Sequence, residues 1–247
     1  MTNQYRKDSP ESIQALFNSI ASRYDRANSL MSFHMHALWN QRLVSEVVAR
    51  IKSKTVLDLC AGTGEISWRT WLYYKKHGII PPDIHLVDFS HEMLTRAEEF
   101  CQKLSLDDQK HFFFHVQDAE KLLFEEQFFD AAFCAYGIRN IRDRTSCLKR
   151  VHKVLKPGGL FAIAELTRPE NLVLKTLHKA WLKTAIPLIG RLFCRNDAAY
   201  TYLTNSIEHF VSPQELKTEL AVAGFDPIEI IPLHAGIVTI IIAKKKP

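Results

Sequence analysis

The chain has 247 residues, 47% hydrophobic and 11% aromatic, enough to bury one large core of the size expected for a globular enzyme. Lys plus Arg number 32 against 27 Asp plus Glu, so the net charge of +5 is a small excess over a mixed background that by itself marks neither nucleic acid nor a membrane as partner. Cys60, Cys101, Cys134, Cys147 and Cys194 lie far apart without a C-x-x-C pair, which excludes zinc spacing and predicts reduced thiols, a cytoplasmic location and no metal.

The opening MTNQYRKDSPESIQ has no apolar stretch of signal-peptide length and carries acids, so no export is expected. Ser9-Pro10-Glu11 reads as a helix start, and Ile13, Leu16, Phe17, Ile20 and Tyr24 follow at spacings of three and four, predicting an amphipathic first helix. A second helix is expected over about 37–52. Strand TVLDLC then precedes a helix over about 65–76, and strand DIHLVDF a helix over about 91–104. HFFFHV and FDAAFCAY are the third and fourth strands, and a helix over about 143–155 leads to strand LFAIAEL. Strands alternating with helices imply a doubly wound α/β fold, a parallel sheet covered on both faces.

After Pro169 the alternation stops, and 170–208 reads as helical with a basic edge. Ser212-Pro213-Gln214-Glu215 is a capping box that opens a helix closed at Gly224. DPIEIIPL, the turn HAG and IVTIIIAKK then predict a β-hairpin added to the sheet. The uncharged run IIPLHAGIVTIIIA is 14 residues long and interrupted by Pro232, His234 and Gly236, too short to span a bilayer.

VLDLCAGTGEIS places Gly62 and Gly64 between a strand and a helix, where the backbone turns tightly and approaches a ligand. A dinucleotide fingerprint would have a third glycine where Ser67 stands, and Glu65 beside the loop suits a cationic or neutral ligand better than a pyrophosphate. Asp88 ends the second strand, where an acid accepts ribose hydroxyls, and Asp118-Ala119 after the third is placed for an adenine edge. Three successive strand tips thus outline a nucleoside site.

With the terminal hairpin, this pattern resembles the class I S-adenosylmethionine-dependent methyltransferases over about 54–165 and 212–243, through LDLCAGTGE, Asp88 and LKPGGLFAIAE. The resemblance implies a Rossmann-like seven-stranded, mostly parallel sheet, S-adenosylmethionine as cofactor, and Asp58, Gly62, Thr63 and Gly64 around its methionine part. Outside that core, IASRYDRANSLMSFHMHALWN, YGIRNIRD, ELTRPEN, IPLIGRLFCRNDAAYTYLTNSIEHF and LHAGIV resemble the ubiquinone/menaquinone biosynthesis C-methyltransferases nearly end to end. The implied organisation is one methyltransferase domain: an N-terminal helical cap (1–52), a cofactor-binding core (53–169), a helical lid insertion (170–211) and a C-terminal helix with hairpin (212–247). The implied reaction is methylation of a ring carbon of a polyprenylated quinol, demethylmenaquinol first. A 2-polyprenyl-6-methoxy-benzoquinol, another phenolic or sterol substrate, and a catalytically silent scaffold role are the alternatives. No nucleic-acid partner is expected, and oligomeric state is left open. One departure is Ala135, where many relatives place a serine before the aromatic-glycine pair Tyr136-Gly137.

Ligands of α/β sheets sit beyond the carboxyl ends of the strands, so the fourth strand is expected to deliver Tyr136, Arg139 and Asn140 beside the transferable methyl. A ring carbon becomes nucleophilic when a neighbouring hydroxyl ionises, which costs about 4 kcal/mol at neutral pH for a phenol titrating near 10. A preorganised donor supplies about 3 to 4 kcal/mol, so Arg139 is expected to hold the phenolate and Asn140 a water or the second ring oxygen. Arginine is a poor base, so Asp25 is the candidate proton acceptor and Tyr24 a candidate substrate contact; the bland alternative for Arg139 is a surface ion pair with Asp143. Lys175, Lys179 and Lys183 align along one helical edge with Leu174, Leu177, Trp181 and Leu182, the composition of an interfacial helix that would rest on an anionic membrane surface. His34, His36 and His209 lack a metal-like partner set and are read as cap or pocket residues.

Overall fold

A computed structural model describes residues 13–15, 18, 29–169, 171–189 and 197–247, with 185–189 and 197–200 described by their backbone alone. From residue 35 onward the described elements are α1 (Met35–Val48), β1 (Thr55–Leu59), α2 (Glu65–Lys76), β2 (Asp83–Asp88), α3 (His91–Cys101), α4 (Leu106–Gln109) and β3 (Phe112–Val116). They continue with β4 (Phe129–Ala135), α5 (Arg144–Val154), β5 (Leu155–Leu166), α6 (Leu172–Ile189), α7 (Asp197–Glu208), α8 (Pro213–Val222), β6 (Phe225–Leu233) and β7 (Val238–Lys245). The seven strands form one sheet in the order β3-β2-β1-β4-β5-β7-β6, parallel through β5, with β7 antiparallel to both of its neighbours. The doubly wound fold and the antiparallel ending expected from the sequence are both present.

Period-two alternation explains why the strands read as continuous apolar runs. One face carries Leu57, Leu59, Ala132, Cys134, Phe161, Ile163, Ile241 and Ala243, packed against Leu148 and Val151 of α5 and Leu216 and Leu220 of α8. The other carries Val56, Ala131, Phe133, Leu160, Ala162, Ala164, Ile240 and Ile242, covered by Leu43, Val44 and Val47 of α1 and Ile66 of α2. Both faces are buried, so polar side chains on them, such as Asp58 and Glu165, need hydrogen-bonding partners.

Several boundaries differ from the sequence reading. The second predicted helix ends at Val48 and the helix after β2 at Cys101. The largest shift is at β5, which begins at Leu155 instead of Leu160 because Leu155 pairs with Phe129 across a register irregularity. Gly159 permits it, since a Cβ there would stand 2.8 Å from the Lys156 carbonyl oxygen and 3.0 Å from that of Asp130. The capping box holds: Ser212 Oγ accepts from the Glu215 amide at 3.2 Å, and Glu215 Oε2 accepts from the Ser212 amide at 2.7 Å, a motif whose cap contributes about 1 kcal/mol. In α6, Leu182 is buried instead of facing outward, and Lys179 and Lys183 reach Glu208 of α7 at 3.0 and 3.6 Å. The predicted first helix is described only at 13–15 and 18, which are helical, so its start at Ser9-Pro10 lies outside the described residues.

Candidate active site

A cavity of about 290 Å³ opens at the carboxyl ends of the first four strands. Cys60 and Gly62 follow β1, Asp88 and Phe89 end β2, Gln117 to Glu120 follow β3, and Ala135 to Gly137 end β4; Asn140, Ile141 and Arg142 close one side. Ile13 and Gln14 come from the N-terminal segment, and Gln14 Nε2 donates to the Phe89 carbonyl at 2.5 Å. Asn18 is tied to the same strand end, its Oδ1 accepting from Ser90 Oγ at 2.6 Å. The sheet order makes this the switch point, where chain connections leave β1 and β4 in opposite directions.

Of the residues singled out from the sequence, Gly62, Asp88, Asp118, Ala119, Tyr136 and Asn140 share this one cavity. Asp88 Oδ2 accepts from the Gly62 amide and Oδ1 from the Ser90 amide, each at 2.9 Å, which leaves each oxygen a further lone pair for a ligand hydroxyl. Burial pushes the Asp88 carboxyl up to about 6 against those amide bonds. Asp118 Oδ1 accepts from the Glu120 amide at 2.9 Å and shapes the turn after β3.

Asp58, Thr63 and Gly64 take another place. The buried Asp58 carboxylate accepts from the Ser67 amide at 3.1 Å and from its hydroxyl at 2.7 Å, satisfying the first turn of α2. Burial raises its proton affinity to about 7, with the nearby Asp88 charge adding to the rise. Thr63 gives its carbonyl to Trp68 Nε1 at 3.2 Å. Gly64 starts α2 at φ 82°, and a Cβ there would lie 2.9 Å from Leu86 Cδ2, so this glycine serves close helix-to-strand packing. All three hold the loop that presents Gly62, and none lines the cavity. Tyr24 and Asp25 lie outside the described residues.

Arg139 departs furthest from expectation. The strand end does not project its guanidinium over the cavity; a 3₁₀ turn, Ile138–Asn140, folds it inward. Nη1 meets Glu165 Oε1 at 2.6 Å and the Tyr136 carbonyl at 2.5 Å, with both charged side chains almost wholly buried. Glu165 Oε2 also accepts from the Arg139 amide at 3.2 Å. The surface pairing with Asp143 is not formed either, because Asp143 caps α5 through the Ser146 amide at 3.0 Å and hydroxyl at 2.6 Å. The turn is further braced from outside: Tyr136 donates its hydroxyl to Asn40 Oδ1 of α1, and Tyr202 of α7 its hydroxyl to Asn140 Oδ1, both at 3.0 Å.

His36 sits against Ser32 Oγ at 2.9 Å and Glu65 at 3.8 Å, away from the cavity wall, and His209, just past α7, meets the Asn205 carbonyl of that helix at 2.9 Å. Cys60, Gln117 and Arg142 line the cavity without having been singled out as site residues; each stands within two residues of one that was, the only signal the sequence offered.

The wall chemistry fits S-adenosylmethionine. Asp88, Asp118 and Glu120 face the cavity against Arg142, itself 3.8 Å from Glu120, so the net potential is negative and suits a sulfonium cation, while the acid at the β2 tip suits a ribose. Gly137 sets the width: a Cβ there would overlap Cys60 Cβ and approach Cys60 Sγ at 3.0 Å. Gly137→Ala is therefore expected to cost about 1 to 3 kcal/mol of stability and to weaken cofactor binding at least tenfold by displacing β1 against β4. Urea unfolding and calorimetry check this, and unchanged values in both would show that the two strand ends separate freely.

The sheet order, the glycine turn after β1 and the acid at the tip of β2 define a class I S-adenosylmethionine-dependent methyltransferase. The ubiE/COQ5 methyltransferase family model matches residues 4–245, and the chain belongs to that family. It is 44% identical over 238 residues to the demethylmenaquinone methyltransferase of Protochlamydia amoebophila (strain UWE25), covering 96% of each chain. It is 33% identical over 228 residues to the ubiquinone/menaquinone biosynthesis C-methyltransferase UbiE of Rickettsia bellii (strain OSU 85-389), covering 92% of this chain and 90% of that one. Among solved structures, a SAM-dependent methyltransferase from Thermotoga maritima superposes with a TM-score of 0.60 at 18% identity, over 94% of this chain and 99% of that one. Haemonchus contortus phosphoethanolamine N-methyltransferase 2 in complex with S-adenosyl-L-methionine gives 0.61 at 16% identity, over 85% of this chain and 52%, about half, of that one.

Proposed function

We propose that the chain methylates a ring carbon of demethylmenaquinol, a polyprenylated naphthoquinol, to give menaquinol. The observation that carries this reading is the 44% identity, over 96% of both chains, to a relative named for demethylmenaquinone. A second relative of that name, from Chlamydia caviae, is 36% identical over 94% of this chain. The benzoquinol alternative has less behind it, since two relatives named for both quinones are 33% identical.

Bound S-adenosylmethionine supplies an electrophilic methyl group; this chain's residues hold the acceptor ring in line and stabilise its ionised hydroxyl. Asn140 and Tyr136, on the cavity wall, are assigned to the quinol. Arg139 acts at one remove, fixing the turn that carries both and setting its positive charge behind them, partly cancelled by Glu165. Asp25 is assigned to proton acceptance and Tyr24 to substrate contact, both outside the described residues.

The lid supports a membrane-borne acceptor. Val173, Leu177 and Trp181 recur every four residues along α6, Val173 and Leu177 are exposed, and Trp181 packs on the exposed Phe33 at a ring separation of 5.2 Å. Such an apolar edge beside the exposed Lys175 suits the surface of an anionic bilayer. Among the described residues no helix is long and apolar enough to cross a membrane. Demethylmenaquinol in vesicles, given methyl-labelled cofactor and the full chain, is expected to yield labelled menaquinol, several-fold faster when the vesicles carry phosphatidylglycerol. No labelled product would remove the substrate reading; product formed at equal rates on neutral vesicles would remove the anionic membrane surface.

A further inference from the structure

The lid helix α7 meets the turn after β4 through two residues one helical turn apart. Tyr202 donates to Asn140 Oδ1 at 3.0 Å, and Arg139 Nε donates to Ser206 Oγ at 3.3 Å. The spacing of four puts both on the face of α7 that packs on Ile138–Asn140. The Tyr202 hydroxyl is pushed above its ordinary range by burial, with Arg139 pulling it down and Glu165 pushing it up. A phenol held protonated in this way is a standing donor.

A carboxamide has an acceptor oxygen and a donor nitrogen. Tyr202 engages the Asn140 oxygen, and among the described residues nothing accepts from Asn140 Nδ2. Asn140 lines the cavity, and Nδ2 is the end of its amide that Tyr202 leaves for a ligand there. With Tyr202 holding the oxygen, the nitrogen is the end of the amide without a protein partner among the described residues, and an N–H donor favours an oxygen with charge and free lone pairs over a neutral hydroxyl.

We propose that Tyr202 is a positioning residue, locking the Asn140 amide with Nδ2 toward the cavity so that the site binds a ring hydroxyl in its ionised form in preference to the neutral one. The proposal rests on the quinol reading only for the ring hydroxyl. It also gives the lid a second role, because docking of α7 fixes the amide that selects the ionised acceptor.

The test uses the full chain saturated with S-adenosylhomocysteine and 4-nitro-1-naphthol, whose ionisation is read by visible absorbance, its proton passing to the buffer. Bound to the parent protein, the naphthol is expected to titrate below its free value. Tyr202→Phe should raise the bound value by about one unit, as the loss of one oriented hydrogen bond to a charged oxygen implies. Asn140→Ala should raise it at least as far, and Tyr202→Phe should add nothing in the Asn140→Ala background. With demethylmenaquinol, Tyr202→Phe should lower kcat about tenfold at pH 7 with KM little changed, and the deficit should shrink as pH rises and the ring ionises unaided. A bound titration unmoved by Tyr202→Phe, additive shifts in the double variant, or failure of the parent to bind the naphtholate would each overturn the proposal. A parent that shifts the naphthol yet does not methylate demethylmenaquinol would instead overturn the substrate reading alone.

Discussion

Arg139→Ala is expected to unfold about 3 to 5 kcal/mol more easily than the parent protein and to turn over at least a hundredfold more slowly. The stability loss follows from what the substitution leaves behind. Glu165 is 1% exposed, and its carboxyl is already pushed above the usual range by burial, with the Arg139 charge opposing that push. Without the guanidinium the carboxylate is buried and unpaired, and it escapes by taking up a proton. Its folded-state pKa then lies still further above its unfolded value, so the penalty is absent at low pH and grows as pH rises through the folded value. Urea unfolding at pH 5.5 and pH 8 should show the larger deficit at pH 8. Arg139→Met combined with Glu165→Gln removes both charges, and it should recover much of the stability while turnover stays low. Cofactor affinity should stay close to that of the parent, because Arg139 is not on the cavity wall. Recovery of turnover along with stability would mean that the arginine is a fold element only.

These residues also mark how far the sequence carries. Asp88 was legible because an acid that ends a largely apolar strand, one strand on from a glycine turn, has few other uses; the sequence reading did not single out Ser90, whose Oγ caps α3 by accepting from the Met93 amide at 3.1 Å. The sheet was legible because its central strands are apolar on both faces, as burial under two helix layers requires. Arg139 could be placed at the end of β4, but its partner could not be named. Glu165 lies on the neighbouring strand, and only the register that pairs Ala135 with Ala164 brings it to the turn. Asp143, near in sequence, was the natural alternative, yet a carboxylate one residue before a helix is worth more as its cap. Asp58 could be read as an acid inside its strand, while its partner Ser67 becomes visible only once α2 is docked. Tyr202 left no readable signal beyond its family-like surroundings, because helical periodicity says which face is apolar and not which turn that face will meet.

S-adenosylmethionine is expected to bind more tightly as pH rises from 5 to 7, by up to about tenfold per unit until the curve levels, and Asp88→Asn should bind about ten to a hundredfold more weakly with a flatter profile. Asp88 titrates at about 6, so an acidic solution presents the cofactor with a neutral acid. A sulfonium cation in the same cavity favours the carboxylate, so binding expels a proton and affinity climbs while free Asp88 is still protonated. S-adenosylhomocysteine, which lacks that charge, should show a shallower climb, separating attraction to the cation from hydrogen bonding to the ribose. Stability runs the opposite way. The folded value of Asp88, about 6, exceeds its ordinary 3.8, so the cofactor-free fold holds this proton more strongly than the unfolded chain does and loses that advantage as pH rises between the two. Relative to Asp88→Asn, the cofactor-free parent should therefore lose thermal midpoint across that window while its gain on adding the cofactor grows. Asp58, lifted to about 7 by burial, extends the same trend toward neutrality from behind the loop. Calorimetric affinities that stay level between pH 5 and 7 for both ligands would show that Asp88 is ionised throughout and that the amides of Gly62 and Ser90 outweigh its burial.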